Sequence, residues 1–336
     1  MSLAPISPAA AALRAQVIGA AESELIGALA AAQDLTAPAP KAPTAAPPDP
    51  VKQAIDTVRA AAAGRQASLA PLLADLVQAQ ASPALPPALR AAIGQVLALQ
   101  TPLDVPPGAD AVKQAVAQSG LFLEAHLAAA GPDPAPPDLK AALLTLQRAL
   151  AAGPAAETAP PPQRIAPPAR GGALTGQPPA PATLPPTADL AAIVGRLRPQ
   201  AEQAVARQVL HQLASLPDAP ATAWMFELPL ATPQGPALAQ FEIARDAPEP
   251  GADDAAPAWQ VRFAIDLEPL GPLQVHLRSN GERAAVTIWA ARDEALASLR
   301  GEGGELARAL PADVTFRLGA PKAKVPARGR FLDRTS

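Results

Sequence analysis

The chain has 336 residues, of which 86 are Ala, 44 Pro and 21 Gly. Larger apolar side chains are therefore scarce for a chain of this length, and folded pieces strung on Pro/Ala-rich linkers fit better than one compact enzyme domain. There is no Cys, which excludes disulfides, thiol nucleophiles and thiolate metal sites. A net charge of −3 gives no electrostatic footprint for nucleic acid. No run approaches the roughly 18 consecutive apolar residues of a spanning helix. The N-terminus lacks a basic stretch ahead of its apolar residues, so a Sec-type leader is not expected.

In chain order, residues 1–35 hold an Ala-rich helix over 8–35, with Leu13, Val17, Leu25 and Leu29 on one stripe. Residues 36–50 are a Pro/Ala linker. Helical periodicity recurs in five segments over 51–152, read as a small all-α bundle with an Ala-heavy interior and modest stability. The fourth segment runs from Val112 and Val116 into Leu123 and Leu127. Residues 153–186 form a second, Pro-rich linker, expected to be disordered. A connecting helix over 187–221 has Pro199 near its first turn and Val205, Val209, Leu213 and Leu216 on one face.

After that the hydrophobic period changes from 3.6 to 2. All three Trp and five of six Phe lie beyond position 221, so the best-specified core belongs there. Alternating runs at 224–230, 239–243, 261–267, 273–277, 286–290 and 314–318 predict strands. An acidic loop over 246–257 separates two of them, and Asn280-Gly281 suits a tight hairpin turn. Residues 292–310 form a helix interrupted at Gly301, Gly303 and Gly304. The fold class expected is α+β: a compact antiparallel sheet with one packed helix over 222–319, preceded by the helical region and its linkers.

Catalytic patterns are missing: there is no GxSxG, P-loop or HExxH. GEGGEL at 301–306 lacks the third Gly and preceding strand of a dinucleotide site. His126, His211 and His276 fall in different segments and read as surface or helix-end histidines. Asp253 and Asp254 read as a solvated loop. No cofactor, metal, nucleic acid or small-molecule substrate is expected. The basic tail, 320–336, carries Lys322, Lys324, Arg328, Arg330 and Arg334 against one acid. It is either a solvated terminus or a docking arm for an acidic partner.

One motif stands apart. A strand ends in Leu267-Glu-Pro269-Leu270-Gly271-Pro272, a second alternating strand runs from Leu273 through Val275 to Leu277, a third follows over Val286–Ala290, and a helix begins with Arg292, Asp293 and Glu294. This order resembles the C-terminal domain of flagellar hook-length control proteins over residues 222–319. The long Ala/Pro-rich part ahead of one compact domain agrees, and Ser119–Glu124 is similar to the same family more faintly. The family's last helix is ordinarily continuous and Leu-rich, unlike 292–310 here. The resemblance implies a non-enzymatic protein, cytoplasmic and then exported through the flagellar type III apparatus. Its N-terminal part would carry the export signal, with residues 1–35 as the candidate export region, and gauge hook length, with hook and hook-cap proteins as partners, while its C-terminal domain meets the export-gate switch protein and changes export from hook to filament substrates. Pro269, Leu270, Gly271, Pro272 and Val275 then form either a structural turn or a direct partner contact. A cytoplasmic adaptor carrying two modules on flexible linkers is the other reading of the same organisation.

Overall fold

In the computed structural model the described residues are 49–103, 108–130, 136–154, 165–217, 222–245, 258–280, 283–309 and 312–321. The expected helix over 8–35, the linker up to residue 48, the acidic loop at 246–257, Gly281 and the tail from Lys322 onward lie outside them.

Among the described residues seven helices precede the main sheet: α1 Pro50–Arg65, α2 Ala70–Gln80, α3 Pro87–Leu97, α4 Ala109–Ala117, α5 Leu123–Ala129, α6 Leu139–Ala151 and α7 Leu190–Ala214. Their starts follow local chemistry. Asp49, Asp138 and Asp189 each accept a backbone N–H from the first turn of α1, α6 and α7, and Pro occupies the first turn of α1, α2 and α3. The expected fourth helix is two, because Gly120 at φ +92 takes the chain out of α4 before α5 can begin. α7 starts nine residues before Pro199, which lies inside it. Its buried side is also not the expected Val205/Val209/Leu213/Leu216 stripe; it comprises Ile193, Leu197, Ala201 and Ala204 and continues into Arg207, Gln208 and His211.

The interior of the helical part is Leu-led. Leu69, Leu72, Leu73, Leu76, Ile93, Leu143, Leu146 and Leu150 are buried with Val194 and Leu197 of α7. At roughly 1.5–3 kcal/mol for each fully buried side chain, such a cluster is a core in its own right.

The strands are β1 Thr101–Pro102, β2 Ala223–Thr232, β3 Gly235–Arg245, β4 Trp259–Leu267, β5 Gly271–Ser279, β6 Ala284–Ala290 and β7 Ala312–Leu318, joined in that order into one sheet. β2 to β6 form the expected antiparallel meander. Both ends differ: β1, between α3 and α4, pairs parallel with β2, and β7 pairs parallel with β6. The second parallel pair follows from helix α8, Asp293–Ala309, which carries the chain back along β6 as a crossover. The helix runs unbroken through Gly301, Gly303 and Gly304, and the ring of Phe316 on β7 fills the space beside Gly303.

The second half of the Pro-rich stretch is not a loose linker. Residues 165–189 run extended but packed, with Leu174 and Leu184 buried. Gln177 exchanges backbone hydrogen bonds with Leu238 of β3, and its side chain donates to Glu227 at 2.8 Å. Buried Asp75 of α2 accepts from the backbone N–H of Leu184 at 2.9 Å and from the Thr183 hydroxyl. Gly176 passes so close to the Ile265–Asp266 backbone of β4 that a Cβ there would overlap it. This strap, with β1 and with Leu238 in the helical core, joins the expected bundle and the sheet into one body.

Candidate partner-binding surface

The β4–β5 hairpin closes through Glu268, Pro269 and Leu270, with Leu267 paired to Gly271. Gly271 has φ +69, the left-handed region that favours glycine. A Cβ there would lie 2.5 Å from Nε of Arg292. That guanidinium is the clamp of the turn: Nη1 and Nη2 donate to the two carboxylate oxygens of Glu268, both at 2.8 Å, and Nη1 also to the Pro269 carbonyl at 3.1 Å. The hydrogen bonds to Arg292 lower the Glu268 carboxyl and raise the guanidinium in return. Partial burial raises the neighbouring Asp266 carboxyl. Both clamp partners are exposed, so the pair fixes geometry and adds little stability.

Pro269 and Pro272 are exposed on the turn, while Leu270 turns inward against Leu273, Ala290, Ala295 and Leu296. Val275 stands two residues beyond Leu273 on the same side of β5, in register with Phe263 and Ile288. Of the five candidate residues, Leu270, Gly271 and Val275 lie with Leu273 on one face of the sheet, while Pro269 is exposed at the turn and Pro272 on the opposite face of β5. Lys322, Lys324, Arg328 and Arg330 lie outside the described residues.

That face is apolar from edge to edge. Phe226, Phe241, Phe263, Val275, Ile288 and Phe316 stand in one cross-strand row. The first three rings follow each other at 5.2 Å, and Trp224 stacks on Trp259 at 5.9 Å beside them. Leu103, Ala115, Val116 and Leu121 cover the β2–β3 end, and α8 covers the β6–β7 end. Val261, Phe263, Val275 and Leu277 between them remain half-buried, and Trp259 is 38% exposed at the rim.

The opposite face is tied to α7 by a buried network. Arg207 donates to Glu227 of β2 at 2.6 and 3.2 Å, and to Gln66 and the Ala166 carbonyl at 3.1 and 2.7 Å. His211, expected near the surface or a helix end, is fully buried, with Nε2 3.4 Å from the other Glu227 oxygen. Burial alone would raise the Glu227 carboxyl; Arg207 and then His211 outweigh it and hold it well below the ordinary carboxylate range. His276 lies elsewhere, against Trp289 at 4.5 Å, its imidazole lowered by burial and then by Arg262. The three histidines do not converge, and among the described residues no group of three or more His, Asp or Glu could hold a metal ion. GEGGEL lies within α8 rather than in a phosphate-cradling loop.

Sequence reasoning found the turn but not its clamp. Arg292 lies 23 residues from Pro269, and only the Arg-led start of the helix hinted at it. The alternation of Trp224, Phe226, Phe241 and Phe263 was a signal for the apolar face, though not for which part stays open.

Residues 249–315 match the family model of the flagellar hook-length control protein FliK. The chain carries a hook-length control domain. The match takes in β4, the clamped turn, β5, β6, Arg292 and α8, and ends inside β7. No curated protein and no solved structure matches the chain. Among the described residues no helix is long and apolar enough to cross a membrane.

Proposed function

We propose that this chain gauges hook length during its own export and, through its C-terminal domain, switches type III export from hook to filament substrates. The observation that carries the reading is where the family match falls: on the clamped turn beside a half-open apolar face. The turn and that face are assigned to the export-gate switch protein, and the N-terminal part to the hook and hook-cap proteins. The protein acts by binding, with no catalytic step, first in the cytoplasm and then as an export substrate. A two-module adaptor on flexible linkers fits less well, because the strap and the Arg207–Glu227 network weld the helical part to the sheet.

The test is Val275→Asp, which places a carboxylate on the face without touching the Arg292 clamp. Cells carrying it at the normal protein level should build overlong hooks lacking filaments, measured by electron microscopy of isolated hook–basal bodies. Hooks of normal length with normal filaments would overturn the assignment of this face.

A further inference from the structure

The sheet has one long open edge. Among the described residues β7 pairs only with β6, so its outer side ends the sheet. The Gly319 N–H donates to the Ala290 carbonyl at 2.8 Å, and Ala290 is in register with Leu318, which fixes the parity of the ladder. Odd-numbered residues of β7 therefore turn their backbone groups toward β6, while Ala312, Val314, Phe316 and Leu318 turn theirs outward. The usual protections of an edge are missing: β7 has no Pro, no Lys and no bulge in its pairing with β6. Leu318 is 52% exposed at its end.

The side chains say which strand fits this edge. Asp313, Thr315 and Arg317 are exposed together on one face of β7, with Thr315 midway between the two charges. Along the strand those charges are about 13 Å apart, too far to meet. Neither has an ion pair among the described residues. A second β7 laid antiparallel across a two-fold axis at Thr315 changes that. Asp313 of each copy then stands opposite Arg317 of the other, with about 5 Å between Cβ atoms. On the other face Val314 meets Phe316, and Ala312 meets the exposed Leu318. The outward backbone groups of the two strands close about eight hydrogen bonds. Moving the axis to Val314 or Phe316 keeps the backbone parity but separates the charges, so the charges select the register. α8 packs over β6 and β7, so its two copies come to lie about two strand spacings, or 10 Å, apart, an ordinary distance for packed helices.

We propose that two copies of this chain pair through β7, antiparallel about Thr315, and join their sheets into one. A foreign strand would have to present an acid and, four residues on, a base; the chain's own edge does. The half-open strip over β4 and β5 stays clear of the pairing, which does not depend on the hook-length reading.

Sedimentation equilibrium of the purified full chain, over roughly 1–100 μM, should show a reversible dimer. Asp313→Arg alone, or Arg317→Asp alone, sets like charges opposite each other twice and should weaken the dimer about tenfold or more. The two changes together restore opposite charges and should restore the dimer. The absence of Cys gives a second readout. Thr315→Cys places two thiols at the axis, with Cα atoms about 4.5 Å apart, so mild oxidation should yield a covalent dimer. Thr287→Cys, in register with Thr315 but one strand further in, lies about 14 Å from its copy and should not cross-link. A monomer at every concentration would overturn the proposal, as would a dimer indifferent to the charge changes or equal cross-linking at 287 and 315. Purified protein suffices, so failure here is separate from failure of the hook-length assignment.

Discussion

At Gly271 a backbone angle and a side-chain contact make the same demand. With φ +69 and Arg292 Nε 2.5 Å from any added Cβ, Gly271→Val must strain the turn and displace the guanidinium from Glu268. Strain of this kind costs about 1–3 kcal/mol, and urea titration of the purified variant should show that loss. In cells the variant is expected to give overlong hooks without filaments. Asp138, the cap of α6, behaves oppositely. Its carboxyl is pushed up to about 6, from an ordinary 3.8, by burial, against the pull of the Ala141 and Lys140 backbone N–H groups. A raised carboxyl favours folding below its ordinary pKa and costs stability once pH exceeds the folded value. Asp138→Asn keeps an accepting oxygen at the cap and removes the charge, so it should raise Tm at about pH 7.5 and do little at about pH 4. A larger gain at the acid end would refute the assignment. The turn was legible in the sequence because Pro-Leu-Gly-Pro is local chemistry. The buried Arg207, His211 and Glu227 were not, because a polar residue on an apolar helix face announces no partner 20 residues away.

Among the elements, the strands were the most readable, since period-2 alternation belongs to each strand alone. The parallel pairing of β7 was not, because it depends on where α8 lets the chain return. The glycines of α8 misled for a related reason: three in four positions argue locally for a break, while packing on β7 and β6 holds the helix through them. Their roles should separate by substitution. Nothing stands within 4 Å of a Cβ at Gly301 or Gly304, so Ala at either should stabilise by about 0.5–1 kcal/mol. At Gly303 the Phe316 ring is 2.9 Å away, and Ala there should destabilise. Three thermal melts decide the matter. The strap shows how composition can hide structure: Pro and Ala make 165–189 extended, as expected, yet Gln177 and Gln240 hold it to the sheet and Asp75 holds it to α2.

Over the whole molecule, the sequence suggests two folded regions on a tether, and the structure joins them. Limited proteolysis should therefore yield a resistant fragment containing both α1 and β7, with early cuts in the Pro/Ala stretch before residue 49. A stable product of 222–319 alone would contradict the joined body. The Arg207 network also sets how the molecule responds to force. Tension entering from the N-terminus meets α1 first, which packs along α7 with Ala62 against Ala206 and Leu210. The pull then reaches Gln66, whose side-chain oxygen Oε1 accepts from Arg207, and through it Glu227 on β2. There the load passes from a peeling helix to a buried ionic knot backed by a whole sheet. Pulled from that end, the chain meets an apolar helix seam first and the buried ionic knot second, and the knot falls where the helices meet the sheet, ahead of the matched residues 249–315.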